Sequence, residues 1–98
     1  MRLKVGSNTY KVIYEEHPTV NDVQVWGYCH KDKKEIVLDK QMDQERTQST
    51  LIHEILHAII EERKLRRYLK DEEMLVDQLA NGIQSVLRDN ANLRRMLL

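Results

Sequence analysis

The sequence predicts an α+β fold, in which a small twisted sheet of three to four strands, antiparallel or mixed, is followed by two helices. Apolar and polar residues alternate with a period of two in short runs over residues 1–40, whereas apolar residues recur at helical spacing over residues 43–63 and 71–90. The length of 98 residues, with 41% of them hydrophobic, predicts one globular domain over residues 1–98.

The strand region begins with a predicted hairpin. Residues 2–5 and 10–14 alternate in polarity on either side of Gly6-Ser7-Asn8, whose residue types favour a turn. Residues 15–22 contain the only proline and several turn-forming residues, and they predict a loop.

Two further strands are predicted before the helices. Val23–Tyr28 resumes the alternation, and we expect Trp26 on this strand to pack in the core. A turn at residues 31–34 separates this strand from Glu35–Leu38, whose β-branched residues favour a short strand.

The first predicted helix spans residues 43–63, which contain neither glycine nor proline. Asp39 or Asp43 can cap its N-terminus. Its apolar residues recur at positions that imply a largely buried helix, namely Leu51, Ile52, Ile55, Leu56, Ile59 and Ile60.

The second predicted helix spans residues 71–90 and is amphipathic. Its apolar side is formed by Val76, Leu79, Ile83, Val86 and Leu87. Gly82 weakens the helical propensity of this segment, and residues 90–98 are expected to fray.

Charge and cysteine content restrict the class of protein. Sixteen basic and sixteen acidic residues give a net charge of zero, which does not indicate a nucleic-acid partner. A local basic cluster at residues 63–70 is interpreted as solvated surface, with a phosphate-binding patch as the alternative. Cys29 is the only cysteine, so an intrachain disulfide and a four-cysteine zinc site are excluded.

Hydropathy points to a protein that is not in a membrane. No stretch approaches eighteen consecutive apolar residues, and the first residues lack the apolar core of a signal peptide. We therefore expect a cytoplasmic protein with no membrane partner, while its oligomeric state stays open.

The most informative segment is His53-Glu54-Ile55-Leu56-His57. Side chains four residues apart lie on one face of a helix, so both imidazoles can bind one Zn²⁺ ion. Glu54 projects about 100° away from His53, where it reaches a water on the metal and not the metal itself. This spacing predicts one zinc ion per chain, with Glu54 as the general base of a hydrolase.

A chance occurrence of two histidines and a glutamate on a helix is the alternative to a metal site. The motif lies within an apolar helix, where burying these polar side chains without a ligand is costly. The metal site is therefore the favoured interpretation.

A catalytic zinc site needs a third protein ligand, and the second helix offers carboxylates. We predict that Glu73 binds the metal and that Asp77, one turn later, accepts the spare N–H of a ligating imidazole. Glu72 is the alternative third ligand, although it projects toward the apolar stripe, where a carboxylate would lack a partner. For either predicted residue, Glu73 or Asp77, an ordinary charge near a helix N-terminus is the other interpretation.

His53-Glu54-Ile55-Leu56-His57, followed on a later helix by Glu73 and Asp77, resembles the zincin metallopeptidases with a glutamate as third ligand. The order of elements, with Gly27-Tyr28-Cys29 before the motif and Leu79-Ala80-Asn81-Gly82 after it, looks like the small peptidase domains of phages and mobile elements, related to those that act on repressors. The resemblance implies a minimal zincin-like fold and a zinc peptidase. It names no substrate, and we expect no appended substrate domain.

The expected substrate is a peptide or protein bound as an extended strand. We expect either Val23–Tyr28 or Glu35–Leu38 to add such a strand to the edge of the sheet. Cys29 could in principle mask the zinc as a thiolate, but an ordinary strand cysteine is favoured. The alternative function is a non-catalytic, zinc-stabilised binding or regulatory module of phage origin, although such a structural site has no need of Glu54.

Overall fold

The computed structural model describes residues 1–97 and has the α+β architecture that the sequence predicts. The strands are β1 (Arg2–Val5), β2 (Asn8–Glu15), β3 (Thr19–Val20), β4 (Val23–Gln24), β5 (Gly27–His30) and β6 (Glu35–Asp39). The helical elements are α1 (Gln44–Glu62), a 3₁₀ turn (Arg66–Tyr68), α2 (Glu72–Asp89) and α3 (Ala91–Leu97). Helices α1 and α2 begin and end within one residue of their predicted bounds.

The main sheet has four strands in the order β1-β2-β6-β5. Strands β1 and β2 form the predicted antiparallel hairpin, β2 and β6 pair in parallel, and β5 pairs antiparallel with β6. Strand β6 therefore has a partner on both sides, while β5 lies at the edge of the sheet. The alternative in which Glu35–Leu38 receives an added strand is wrong, because those residues have no free edge.

One face of the sheet and helix α1 enclose the core. Side chains alternate along a strand, so Tyr10 and Val12 of β2 project to the same side as Ile36 and Leu38 of β6. Ala58 of α1 completes this buried cluster. Helix α2 packs against α1, which thus lies between the sheet and α2.

Gly27 allows α1 to lie unusually close to β5. A Cβ atom at this position would come within 2.8 Å of both Thr50 Cγ2 and Val37 O, which is shorter than any normal contact. Only glycine therefore fits at the start of β5 while α1 keeps its place. This close packing brings the edge strand next to the face of α1 that carries His53 and His57.

Two expectations for residues 15–28 are wrong. Residues 19–24 form a separate hairpin, because Asn21 and Asp22 adopt φ angles of 51° and 65° in a two-residue turn that pairs β3 with β4. Val23–Tyr28 is consequently not one strand, and strand pairing resumes only at β5. Trp26 lies in the break and is 51% exposed instead of packing in the core.

The ends of the helices differ in part from the prediction. Asp43 caps α1 by accepting a hydrogen bond of 2.7 Å from the backbone N–H of Arg46, whereas Asp39 binds the N–H of Gln41. Residues 91–97 form α3, a helix that was not predicted from the sequence, while Leu98 lies outside the described residues. Among residues 1–97, no helix is both long and apolar enough to cross a membrane.

The predicted apolar side of α2 is only partly covered. Val76 and Ala80 are buried, whereas Leu79, Ile83 and Val86 remain between 38% and 48% exposed. Angular position around the helix explains part of this difference. Val76 and Ala80 lie one turn apart on the side that meets α1, whereas Leu79 and Val86 lie about 60–80° away from Val76. Ile83 lies close in angle to Val76 but about two turns nearer the C-terminus of α2.

Glu62, in the last turn of α1, ties this helix to the sheet. Its carboxylate accepts hydrogen bonds from Asn8 Nδ2 and Tyr10 Oη at 2.6 Å and from Lys34 Nζ at 3.0 Å. Its side chain is only 9% exposed. These hydrogen bonds, led by those from Tyr10 and Asn8, lower the pKa of Glu62 from 4.5 to about 2.

We expect Glu62→Gln to reduce the free energy of unfolding at pH 6 but hardly at pH 2. The folded pKa of Glu62 is lowered, so its stabilising effect is present above pH 4.5 and is lost as the pH falls toward about 2. Denaturant unfolding at both pH values measures the difference. Glu16→Gln, which removes an exposed carboxylate near Lys40, serves as the control and should change little at either pH. Equal effects of Glu62→Gln at both pH values would contradict this prediction.

Candidate metal centre

Helix α1 presents His53 and His57 on one face, as their spacing predicts. Their ring centroids lie 4.9 Å apart, and the two Nε2 atoms face each other at 3.2 Å. Four residues correspond to about one helical turn, so the two rings lie one above the other along the helix. No other element is needed to bring them together.

Glu73 completes a group of three metal-binding side chains. Its Oε1 atom lies 2.7 Å from His53 Nε2, and its Oε2 atom lies 3.1 Å from His57 Nε2. Asp71 caps α2 by accepting from the N–H of Met74, which places Glu73 in the first turn of α2, opposite the two imidazoles. His53, His57 and Glu73 each offer one ligand atom within 4.8 Å of the others, so this group could hold a metal ion.

The other ring nitrogens are engaged by carboxylates. Asp77 Oδ1 lies 3.0 Å from His53 Nδ1, and Glu72 Oε2 lies 2.5 Å from His57 Nδ1. A carboxylate only accepts hydrogen bonds, so in a neutral imidazole Nδ1 carries the proton and Nε2 offers a lone pair. Two lone pairs and the Glu73 carboxylate then converge on one point, and either a metal cation there or a proton added to an imidazole removes their repulsion.

The distances also suit a tetrahedral ion. Ligand atoms that each lie 2.0–2.1 Å from such an ion are about 3.3 Å from one another. The Nε2 atoms of His53 and His57 are 3.2 Å apart, which is close to this value. Glu73 places Oε1 2.7 Å from His53 Nε2 and Oε2 3.1 Å from His57 Nε2, so one oxygen of Glu73 could join the two nitrogens in holding a metal ion.

Glu72 has two partners, contrary to the expectation that its carboxylate would lack one. Besides His57, it accepts a hydrogen bond of 2.9 Å from Arg66 Nε, and its side chain is 17% exposed. Burial opposes ionisation of Glu72, but the hydrogen bonds from His57 and Arg66 together outweigh burial and lower the pKa. The structure thus places Glu72 behind His57, while Glu73 faces both Nε2 atoms.

Arg66 was assigned from the sequence to a solvated basic cluster, and its contact with Glu72 was missed. The 3₁₀ turn at Arg66–Tyr68 brings its guanidinium between Glu72 and Glu61, whose Oε2 lies 3.3 Å from Nη1. No local pattern in the sequence predicts that turn, so Arg66 cannot be distinguished from its basic neighbours by sequence.

Glu54 lies beside this group without belonging to it. Glu54 is buried, with 5% of the residue exposed, and its Oε2 atom lies 4.0 Å from His53 Nε2. Burial raises the pKa of Glu54 to about 7; the two imidazoles oppose this shift, and Glu73 and Asp77 add to it. The carboxyl is thus held next to the ligand atoms, where it can exchange a proton with a water at the site.

Cys29 of β5 lies near Glu54 and is half-buried. Burial, followed by the charge of Glu54, raises the pKa of Cys29 to about 11, so the thiol is protonated at neutral pH. Among residues 1–97, the group of potential ligands contains no cysteine. Cys29 therefore has the features of a strand cysteine and not those of a zinc-masking thiolate.

Two hollows of about 500 and 610 Å³ meet at His53 and Glu54. The smaller hollow extends along β5 toward Lys31 and the start of α2, and Val20 of the β3–β4 hairpin lies on its rim. The larger hollow extends the other way, between Trp26 and the middle of α2. Val25 and Gly27 line both hollows, so together they form one groove along the edge strand.

No protein-family model, curated protein or solved structure matches this chain. Its function is therefore inferred from its residues and their geometry.

Proposed function

We propose that this protein is a zinc-dependent metallopeptidase, with His53, His57 and Glu73 as the metal ligands and Glu54 as the general base. One observation carries the proposal. Three ligand atoms of catalytic type converge beside a buried carboxylate, at the point where an open groove meets an edge strand. The resemblance of the His53–His57 segment to zincins favours the same activity.

Zinc is proposed because two imidazoles and one carboxylate form a common donor set of catalytic zinc sites. When bound by three protein ligands, zinc lowers the pKa of a water toward neutrality and polarises a carbonyl oxygen. Asp77 and Glu72 would hold the two imidazoles in the orientation and tautomer that ligation needs, because each accepts the Nδ1 proton. Arg66 would in turn hold Glu72 in place.

Glu54 acts in this proposal as the group that moves protons. Its Oε2 atom takes a proton from the attacking water as the water oxygen bonds to the peptide carbonyl carbon, and it then gives that proton to the departing amine nitrogen. Burial between α1 and β5 keeps the carboxyl close to the reacting atoms without making it a ligand. Glu54 directly follows His53 in α1, and its Oε2 atom lies 4.0 Å from His53 Nε2.

The groove along β5 suits an extended peptide. Strand β5 pairs only with β6, so its outer N–H and C=O groups can bind the backbone of one more strand. Gly27 brings this edge close to Glu54 and His53. Of the two segments predicted to receive the substrate strand, only part of Val23–Tyr28 is still a candidate. Its last two residues, Gly27 and Tyr28, belong to the edge strand β5.

Zinc analysis paired with a peptide-cleavage assay tests the proposal. We expect about one zinc per chain in the purified protein and cleavage of members of an unbiased peptide library, with loss of cleavage after chelation and recovery after zinc is restored. A protein that binds no zinc would contradict the proposal. If zinc is bound and its removal unfolds the domain, but no peptide is cut, the zinc-stabilised binding module becomes the better account.

A further inference from the structure

Arg46 lies over the ring of Trp26 in the larger hollow, away from the metal centre. The guanidinium carbon of Arg46 lies 5.1 Å from the centre of the Trp26 ring. Both side chains are exposed and both line the hollow that begins at His53 and Glu54. An exposed aromatic ring beside a candidate active site offers a surface for a substrate side chain.

Arg46 forms no ion pair among residues 1–97, where the ion pairs of arginine involve Arg66 and Arg88. Contact with the Trp26 ring does not use the N–H groups of the guanidinium as hydrogen-bond donors to a charged partner, so they can bind a carboxylate. Gln78 and Asn81 of α2 line the opposite wall with amide groups that can also donate.

The acidic groups of this hollow lie at its other end. Glu54 and Asp77 both contact His53, at 4.0 and 3.0 Å from its ring nitrogens. Their charges are therefore associated with the metal centre, and Arg46 is the cation at the distal end. Asp43 caps α1 through the backbone N–H of Arg46, but among residues 1–97 it forms no ion pair with the Arg46 guanidinium. The side chain of Arg46 can therefore attract an anion at a distance from Glu54 and Asp77.

The spacing along α1 sets the position of this contact on a substrate. Arg46, Thr50 and His53 lie on one face of α1, at positions i, i+4 and i+7. Seven residues of helix span about 10.5 Å. An extended peptide advances about 3.3 Å per residue, so Arg46 lies about three residues away from the bond at the metal centre.

We propose that the hollow at Trp26 and Arg46 is a subsite that selects a carboxylate on the substrate, about three residues from the bond that is cut. This inference rests on the proposed peptidase function and names the class of its substrate. The carboxylate belongs either to an acidic side chain or to the C-terminus of a peptide, because both present the same group to the guanidinium.

Trp26 supplies a direct measurement, since it is the only tryptophan of the chain. Zinc-loaded Glu54→Gln protein is titrated with acetylated, amidated octapeptides of alanine and serine in which one glutamate is moved through every position. Each peptide has a glutamine-containing match, and one further peptide contains no glutamate but has a free C-terminal carboxylate. The change in Trp26 fluorescence gives Kd for each peptide.

We expect the best glutamate peptide to bind about 5-fold more tightly than its glutamine match, as a partly exposed charge-assisted pair allows. Preference for the free C-terminus instead would identify the carboxylate as a chain end and would support the same subsite. Arg46→Gln should remove the preference, and Arg46→Lys should retain part of it because the charge remains without the planar fork. Arg88→Gln is the matched control, because Arg88 is an exposed arginine that lines a different groove, between α1 and α2. This variant should keep the preference.

Equal affinity for carboxylate and amide peptides, a preference that survives Arg46→Gln, or failure of every peptide to bind would each overturn the subsite. Cleavage by the wild type is measured separately with the same peptides. Preferential binding without cleavage would contradict the peptidase activity and support the subsite. Cleavage without the preference would support the peptidase activity and contradict the subsite.

Discussion

Glu54→Gln is expected to keep zinc bound while peptide hydrolysis falls at least about 100-fold. Glutamine preserves the volume and a hydrogen-bonding oxygen but cannot accept the proton of the attacking water. His53, His57 and Glu73 are unchanged, so zinc content should be equal to that of the wild type. Glutamine also carries no charge, so it fits a site where the side chain is only 5% exposed.

Two measurements on the same preparation separate mechanism from folding. Zinc is quantified by elemental analysis, and kcat/KM is measured on the best library peptide. Glu45→Gln provides a matched control, because Glu45 is an exposed carboxylate on the same helix whose ion pair, among residues 1–97, is with Arg88 at 3.7 Å. Wild-type activity in Glu54→Gln at equal zinc content would contradict the mechanism, whereas lost zinc would show that Glu54 has a structural role.

Alanine at His53 or His57 is expected to abolish tight zinc binding. Each imidazole contributes one of only three ligand atoms, so two ligands remain in either variant. Glu73→Ala should lose much of the affinity for the same reason. A double His53→Ala, His57→Ala variant that retains full zinc content would refute the site.

The carboxylates behind the histidines should have smaller effects. Asp77 and Glu72 approach the imidazoles through Nδ1 and not through Nε2, so Asp77→Ala and Glu72→Ala should each weaken zinc binding by about 10–100-fold. Competition with a chelator of known affinity measures all these variants on one scale. If Glu72→Ala proves more damaging than Glu73→Ala, the third ligand is Glu72.

Local pattern was sufficient to predict helices α1 and α2 and the strands that flank the core. Helix α1 needs only apolar residues at helical spacing and a capping Asp43, and the β1–β2 hairpin needs only alternation around Gly6-Ser7-Asn8. The relation of His53 to His57 is also local, because one helical turn fixes it. These features follow from interactions between residues close together in the sequence.

The segment between β2 and β5 could not be predicted in the same way. Val23–Tyr28 alternates like one strand, but the left-handed conformations of Asn21 and Asp22 turn its first residues back onto β3. Trp26 then lies in a break where its ring contacts Arg46, which is distant in sequence. Period-two alternation shows on which side of a strand each side chain lies, but it does not show which strand pairs with it. The errors for Val23–Tyr28 and for Trp26 both have this cause.

The sequence by itself determined that two imidazoles and Glu54 share one turn of helix. Tertiary structure decided which carboxylate meets which nitrogen, because that depends on how α2 packs against α1. Glu72 and Glu73 are adjacent in sequence, yet one faces His57 Nδ1 and the other faces both Nε2 atoms. Adjacent residues on a helix project about 100° apart, so the orientation of α2 relative to α1 assigns their different contacts.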